Sequence, residues 1–313
     1  MRLFHLLASH DPQSPTGVPR FSGYFKRAFP EVFNITPGTV AAVEFRDDDV
    51  IVTDNGLALL CPDNCRVIIV HHGAAHTHYD RDESWRNATT RALVHDQRAM
   101  FNKPNVRFVA PSRWVADRFR EIAPAGYAPT IIPHWVPVIE RPGFMLEPGG
   151  PKPVDRKAAE CIAAIMGTRA TNPKPVVIGD WRNPNKGSEV IAAIRAACPE
   201  YQFRQLAFAA DDQAEREEFY RQADCYLCLS LSEGAPYSVA DAEAAGLPIV
   251  TTPVGNVHEF TEAAVITERE RNEQPGVVGR LIARALAVPR GPSFYSTYSL
   301  ADWRAKWREV ILG

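Results

Sequence analysis

The residues best suited to chemistry stand in one stretch, Leu227 to Phe260, where a carboxylate lies in a turn of small side chains. An apolar run from Cys225 to Leu231 predicts a buried strand before this turn. The turn and the elements predicted after it are Glu233, Gly234, Ala235 and Pro236, then a helix (Tyr237 to Ala245) and a strand (Leu247 to Thr251). In such a βαβ unit a ligand lies beyond the carboxyl end of the first strand, against the helix N-terminus. The stretch therefore predicts a ligand site with one carboxylate and a closely approachable backbone.

Two cations follow another predicted strand, Pro175 to Gly179. Arg182 and Lys186 stand in the loop after it, and a helix is predicted from Ser188 to Ala197. Cations above a helix N-terminus form a natural anion site. The alternative is a pair of exposed basic loop residues. The position of the loop at the carboxyl end of a strand, in the same half as Glu233, favours phosphate binding.

Four histidines follow a third predicted strand. The nearly continuous apolar run from Arg66 to His72 is typical of a parallel strand covered on both faces, and it ends in His71 and His72. His76 and His78 come next, in a predicted loop. A metal site is the alternative, but a strand end and a loop lack the i, i+4 spacing of a helical zinc site, and no glutamate lies between them. We therefore expect no metal, and we expect one or two of these histidines to line a pocket.

Length and composition describe a globular protein of about two domains. The chain has 313 residues, of which 45% are hydrophobic and 23% are charged, and its formal net charge of −2 predicts no nucleic-acid partner. No apolar run approaches the roughly 18 residues of a membrane-spanning helix, and the N-terminus fits a first strand better than a secretory signal. The six cysteines form no complete zinc motif, so we expect free thiols and a cytoplasmic location.

Three further segments frame the expected site. The chain opens with a predicted strand (Arg2 to Ala8), a loop that contains Gly17 and a helix from Arg20 to Ala28, and Val40 to Phe45 is a short β-type run. Gly17 fits close approach of a ligand or a simple turn; one glycine favours the turn, but we keep it among the expected nucleotide-binding residues. Arg113 to Ile122 predicts a basic amphipathic helix, which fits a membrane surface or, as we favour, packing inside the domain.

The order of elements predicts the architecture. Both halves alternate strands and helices, which is typical of an α/β fold of two doubly wound, Rossmann-like domains facing across a cleft. The expected bounds are 1–150 for the first domain, 151–292 for the second and 293–313 for a closing segment. The tryptophan-containing amphipathic helix of that segment is expected to cross back to the first domain.

The stretch from Ser232 to Glu259 resembles the retaining GT-B glycosyltransferases, a large family that includes bacterial mannosyl- and glucosyltransferases. The family pattern is E-x7-E, then A-x-G-x-P-V-V-x-T, V-G-G and E, and here it starts at Glu233 and reaches Glu259. The loop of Arg182 and Lys186 is similar to the family's phosphate loop, and the I-P-H-W turn at 132–135 is similar to its I-P-N-G turn.

Three positions depart from that pattern. The second acid of E-x7-E is Asp241, Asp180 stands where the family has its arginine, and Gly17 has no second glycine beside it. Glu243, two positions beyond Asp241, lies some 200° round the helix and is a poor substitute for the second acid.

The resemblance implies a nucleoside-diphosphate sugar as donor, held mainly by the second domain, with no separate cofactor and no metal. It implies that Arg182 and Lys186 stabilise the diphosphate leaving group and that Glu233 contacts sugar hydroxyls or balances positive charge on the sugar. The other implied contacts are Asp241 with the ribose, Gly234, Ala235 and Pro236 beside the sugar, and His72 facing the sugar from the first domain. The implied reaction is retaining hexosyl transfer in polysaccharide or glycoconjugate synthesis.

The acceptor is expected to be a glycan, a lipid-linked intermediate or a small molecule, with peripheral membrane contact as a further expectation for the basic helix Arg113 to Ile122. Two other functions remain open. A nucleotide-sugar epimerase shares the scaffold, although the E-x7-E pattern argues against it. A non-catalytic sugar-nucleotide binding protein is motivated by Asp241 and the altered phosphate loop.

Overall fold

The computed structural model describes residues 1–8, 17–81, 86–140, 174–206, 213–288 and 290–313. Within them the chain forms two parallel sheets, one from each half of the sequence, as the alternation of strands and helices predicts. The expected boundary at residue 150 lies outside the described residues, as does the side chain of His78.

The first sheet has six strands in the order β2-β1-β3-β4-β5-β6, all parallel. The strands are β1 (Leu3–Leu6), β2 (Phe33–Ile35), β3 (Val50–Asp54), β4 (Arg66–Val70), β5 (Val106–Ala110) and β6 (Thr130–Ile131). The described helices of this half are α1 (Gly17–Ala28), α2 (Pro37–Val40), α3 (Ala75–Arg81), α4 (Ala88–Ala99) and α5 (Arg113–Arg120). Two apolar clusters cover the two faces of the sheet, which is why its central strands are apolar at consecutive positions.

The second sheet has five strands in the order β11-β10-β9-β7-β8, also all parallel. The strands are β7 (Val176–Gly179), β8 (Gln202–Gln205), β9 (Cys225–Cys228), β10 (Ile249–Thr251) and β11 (Ala264–Val265). The described helices are α6 (Ile191–Ala197), α7 (Gln213–Arg221), α8 (Tyr237–Ala244), α9 (Val257–Phe260), α10 (Glu268–Glu273) and α11 (Pro275–Ala287).

The last helix returns to the first sheet, as its amphipathic pattern predicts. Helix α13 (Leu300–Leu312) follows α12 (Phe294–Thr297). It is capped by Ser299, whose side chain accepts a hydrogen bond from the backbone N–H of Asp302. The buried rings of Trp303 and Trp307 pack against Phe21 and Phe25 of α1.

Several local predictions are wrong. Val40 to Phe45 is not a strand. Val40 is the last residue of the short helix α2, which begins at Pro37, and residues 41–45 form a turn and irregular chain. Strand β2 was not expected. The histidine-containing segment after His72 is helix α3 rather than a loop. Helix α6 begins at Ile191 rather than Ser188, after a 3₁₀ turn over Pro184–Lys186. Among the described residues, no helix is long and apolar enough to cross a membrane.

Candidate functional site

The carboxyl ends of both sheets face one cleft, which contains a cavity of about 480 Å³. His72 follows β4 of the first sheet, whereas Arg182 and Glu233 follow β7 and β9 of the second. The cavity is lined by every residue that the sequence assigned to the site: Gly17, His72, Arg182, Lys186, Glu233, Gly234, Ala235, Pro236 and Asp241. Residues up to 224 positions apart are therefore brought together, from Gly17 to Asp241.

The loop after β7 that contains Arg182 and Lys186, here called the cationic loop, also contains Asp180, which forms an ion pair with Arg182. Arg182 donates from Nε and Nη2 to the two oxygens of Asp180, at 2.7 and 3.0 Å. Burial alone disfavours ionisation of Asp180, but the hydrogen bonds and charge of Arg182, with the charge of Lys186, outweigh it and lower the pKa of this carboxyl group. The side chain of Arg182 is about half exposed, at 52%, so it remains accessible to a ligand in the cleft.

Lys186 joins the cationic loop to the Glu233 turn. Its ammonium group donates to Glu233 and lies 3.6 Å from Asp180, and Ser230 also donates to Glu233, at 2.9 Å. Burial by itself lowers the pKa of Lys186, but the charges of Glu233 and Asp180 outweigh it and raise the pKa above its ordinary value. The lysine is therefore protonated at physiological pH.

The positions of these cations differ from the prediction in one respect. Helix α6 begins five residues after Lys186, so the cations do not lie at its first turn. The 3₁₀ turn instead ends at Gly187, with φ +95°, where a Cβ atom would lie 2.6 Å from Cβ of Leu229. Glycine is required here both by the left-handed backbone and by the close packing of the loop on Leu229, the residue after strand β9.

The small residues after Glu233 allow the two halves of the chain to touch. A Cβ atom added to Gly234 would lie 2.2 Å from the backbone oxygen of His72, which is inside van der Waals contact. Gly255 has φ +61°, and a Cβ atom added to it would lie 2.6 Å from the backbone oxygen of Gly234. The Glu233 turn is thus enclosed between the first domain and the segment after β10.

Side-chain alternation separates the two histidines that follow β4. His71 is buried in the first domain and stacks on Phe119, and burial lowers its pKa to about 3. His72 lines the cleft instead, with Nε2 2.7 Å from Oδ1 of Asp54 at an angle that does not fit a hydrogen bond. His76 contacts Glu121, at 3.0 Å, and lies outside the cleft.

An aromatic wall beside His72 was not expected. His134, which follows β6, stacks on His72 with ring centroids 5.6 Å apart and on Tyr237 at 4.7 Å. Burial, with the charges of His72 and Arg20, holds the pKa of His134 well below its usual range, so its imidazole is neutral. The signal in the sequence was the I-P-H-W turn at the end of a strand, where side chains meet the cleft.

Asp241 is paired with an arginine of the first domain. Arg20 of α1 donates from Nη1 and Nη2 to the two oxygens of Asp241, at 2.7 and 2.5 Å. Asp241 is only 1% exposed, and Nε of Arg216 lies 3.8 Å from it. In this structure both oxygens expected to accept from a ribose therefore accept from Arg20. Sequence reasoning missed Arg20 and Arg216, because nothing local links them to Asp241.

Glu243 does not replace Asp241. It is buried on α8 away from the cleft, accepts a hydrogen bond from Thr261 at 2.8 Å, and burial raises its pKa to about 7. Among the residues that the structure describes, no group of three or more histidine, cysteine, aspartate or glutamate side chains is arranged to hold a metal ion.

Comparisons with known proteins agree with this architecture. Residues 156–278 match the family model described as Glycosyl transferases group 1. A comparison with curated protein sequences found no significant match. The sucrose-phosphate synthase from Thermosynechococcus elongatus is similar in fold, with a TM-score of 0.65 and 14% identity over 100% of this chain and 97% of that chain. HepE from Anabaena, in complex with UDP and glucose, gives a TM-score of 0.68 and 12% identity, over 100% of this chain and 99% of HepE.

At such low identity the structural likeness shows the fold alone. The family match lies on the half of the chain that carries the cationic loop and the Glu233 turn. The chain therefore has the GT-B fold, and residues 156–278 match the domain of the group 1 glycosyl transferases.

Proposed function

We propose that this protein is a retaining glycosyltransferase that transfers a sugar from a nucleoside-diphosphate sugar to an acceptor hydroxyl. The observation that carries the proposal is the cleft itself. It places Lys186, Arg182 and Glu233 of the second domain opposite His72 of the first. The family match on residues 156–278 and the UDP and glucose bound by the similar HepE support the same substrate class.

The charges of the cleft suit a diphosphate. Its described lining contains four cations (Arg20, Arg182, Lys186 and Arg216) and three carboxylates (Asp180, Glu233 and Asp241), so the balance is one positive charge with the histidines neutral. In the ligand-free chain Lys186 and Arg182 are paired with carboxylates. A diphosphate in the cleft would add acceptor oxygens to these same cations, and both are protonated to receive it.

In the proposed reaction the bond from the anomeric carbon to the diphosphate breaks, and a bond from that carbon to the acceptor oxygen forms on the same face. The acceptor proton passes to a phosphate oxygen of the leaving group. Lys186 and Arg182 stabilise the negative charge that gathers on the diphosphate, without a metal. Glu233 balances positive charge on the sugar or accepts from its hydroxyl groups, and His72 contacts the sugar from the opposite wall.

The nucleoside end of the donor meets Asp241 together with Arg20. Because Arg20 already uses both carboxylate oxygens, we propose that the ion pair acts as one group beside the ribose, rather than Asp241 alone. The small residues Gly234, Ala235 and Pro236 lie beside the sugar, and Gly17, the first residue of α1, lines the same cavity.

Binding and transfer are tested separately. A thermal-shift panel of UDP, GDP, ADP and dTDP and their sugars identifies the donor base, since a ligand at 100 times its Kd adds about 2.7 kcal/mol of stability. We expect Lys186→Ala to weaken binding of the best nucleotide by about tenfold to a hundredfold, because a charge-assisted contact is lost. The exposed Lys306→Ala is the matched control.

Glu233→Ala is expected to retain nucleotide binding but to lose acceptor-dependent release of nucleoside diphosphate by about a hundredfold or more. Unchanged release in this variant would exclude Glu233 from the reaction. Nucleotide binding without turnover over a panel of donors and acceptors would instead favour the non-catalytic binding protein, which the pairing of Arg182 with Asp180 also fits. Conversion of the nucleotide sugar without an acceptor would favour an epimerase.

A further inference from the structure

Glu259, the last acid of the sequence pattern, reaches across to the first domain. Its two carboxylate oxygens accept hydrogen bonds from the backbone N–H groups of Arg113 and Trp114, at 2.8 and 2.9 Å. Arg113 and Trp114 are the first two residues of helix α5 in the first domain, whereas Glu259 lies on helix α9 of the second domain. Neither the family match nor the cleft gives this carboxylate a role.

The contact completes the cap of a helix. The first N–H groups of any helix have no partner within it, and a carboxylate is favoured there by the helix dipole. Ser112 accepts a hydrogen bond from the N–H of Val115 at 3.1 Å. Glu259 accepts from the N–H groups of the two residues before Val115. Three N–H groups in the first turn of α5 donate to side chains, and Glu259 of the second domain accepts two of these three hydrogen bonds.

That helix touches the candidate site. A Cβ atom placed on Gly234 would lie 3.4 Å from a methyl group of Val115, in the first turn of α5. The same position would lie 2.2 Å from the backbone oxygen of His72. A Cβ atom placed on Gly255, four residues before Glu259, would in turn lie 2.6 Å from the backbone oxygen of Gly234. The turn next to Glu233 is therefore held between the helix that Glu259 caps and the segment from which Glu259 extends.

We propose that Glu259 is a positioning residue for sugar transfer, which rests on the proposed function. It fixes the first turn of α5 against the Glu233 turn and so sets the separation of Glu233 and His72 across the cleft. Glu259 does not line the cavity, and the cations expected to hold the diphosphate belong to the second domain. Its loss should therefore impair transfer more than binding of the nucleotide.

The test compares Glu259→Ala and Glu259→Gln with Glu262→Gln, which removes the charge of an exposed glutamate three residues further on. The probes are the nucleoside diphosphate that gives the largest thermal shift among UDP, GDP, ADP and dTDP, and its matching nucleotide sugar. We expect kcat for release of nucleoside diphosphate to fall by about tenfold to a hundredfold in Glu259→Ala, because small displacements of reacting groups are costly. The Kd for the nucleoside diphosphate should change less than about threefold, and Glu262→Gln should match the wild type.

A second measurement does not depend on activity. Hydrogen exchange of the backbone amides of Arg113 and Trp114 should be faster in Glu259→Ala than in the wild type and Glu262→Gln. Glu259→Gln retains one acceptor oxygen, so it should restore part of the protection and part of kcat, and it keeps the test valid if the alanine variant unfolds.

Wild-type exchange rates at both amides in Glu259→Ala would overturn the capping contact. A loss of nucleotide affinity that accounts for the whole loss of transfer would overturn the positioning role. A wild-type protein that shows no turnover with any donor would instead contradict the proposed function, and the exchange measurement would still decide the contact.

Discussion

At the scale of single residues, the partner of Asp241 changes what this position can do. A carboxylate on the first turns of α8 is a natural acceptor for a ribose, and the sequence pattern supports that prediction. The structure shows the same carboxylate with both oxygens bonded to Arg20, whose guanidinium also lies over the ring of Tyr237 at 4.6 Å. Burial alone lowers the pKa of Arg20, but the charge of Asp241 outweighs it and raises the pKa above its ordinary value. The pair is therefore buried, at 1% exposure for Asp241, and shared by the two domains.

Removing one partner of this pair should destabilise the fold. We expect Arg20→Gln to lower the free energy of unfolding by about 3 to 5 kcal/mol, because Asp241 would be left buried without its bidentate partner. Arg20→Lys keeps the charge but not the planar fork, so it should restore only part of the stability. Urea denaturation of the two variants measures the difference.

The double variant Arg20→Gln with Asp241→Asn is the control. It removes both charges, so it should be more stable than Arg20→Gln alone. Equal stability of the single and double variants would show that Asp241 is satisfied without Arg20, for example by Arg216 at 3.8 Å.

At the scale of elements, close packing limits the size of the side chains in the Glu233 turn. The turn follows strand β9, and α8 begins at Tyr237. A Cβ atom on Gly234 would lie 2.2 Å from the backbone oxygen of His72. The two atoms nearest to that Cβ position on Gly234 belong to the backbone of His72, which cannot move aside as a flexible side chain can.

Gly234→Ala should therefore separate the two walls of the cleft. We expect release of nucleoside diphosphate to fall by about tenfold to a hundredfold, because a displacement of about 1 Å between reacting groups has an effect of this size. Steady-state kinetics with the donor identified by thermal shift measures it. Gly23→Ala is the control, since a Cβ atom at Gly23 would meet nothing within 4 Å. Full activity in Gly234→Ala would mean that the walls are not in contact during turnover.

At the scale of the whole molecule, the last helix, α13, packs into the core of the first domain. One apolar cluster includes residues of the first sheet, Trp303 and Trp307 of α13, and Ala240 and Ala244 of α8. The first domain therefore depends for part of its core on the last residues of the sequence. This continuity of apolar packing across the two halves also explains how Arg20 and Asp241 are held within hydrogen-bonding distance.

Trp307→Ala should test that dependence. We expect it to lower the free energy of unfolding by about 3 to 5 kcal/mol, because a large buried ring that packs on Phe25 at 5.2 Å would be replaced by a cavity. Thermal and urea denaturation measure the change. Arg308→Ala, at an exposed position of the same helix, should change stability by less than about 0.5 kcal/mol. A loss below about 0.5 kcal/mol in Trp307→Ala as well would mean that this ring of α13 contributes little to the core.

The sequence alone was enough for features that depend on neighbouring residues. An apolar run, a turn of small residues and a helix stop predicted the Glu233 unit, and an apolar run followed by two cations predicted a cationic loop at the carboxyl end of β7. Hydrophobic periodicity reports which faces of an element are buried, so it also predicted the two parallel sheets and the return of α13. It failed for α2 and α3, where a proline start and a histidine-rich helix obscure the period.

Only the tertiary structure decided which groups meet between the halves. Arg20 and Asp241 are 221 positions apart, and Glu259 caps a helix that begins 146 positions earlier. No local pattern encodes such pairs, because they depend on the relative placement of two sheets that fold from separate parts of the chain. The sequence could therefore nominate Glu233, His72, Arg182, Lys186 and Asp241. The packing of the domains determined that Asp241 is bonded to Arg20 and that Glu259 accepts hydrogen bonds from the first two N–H groups of α5.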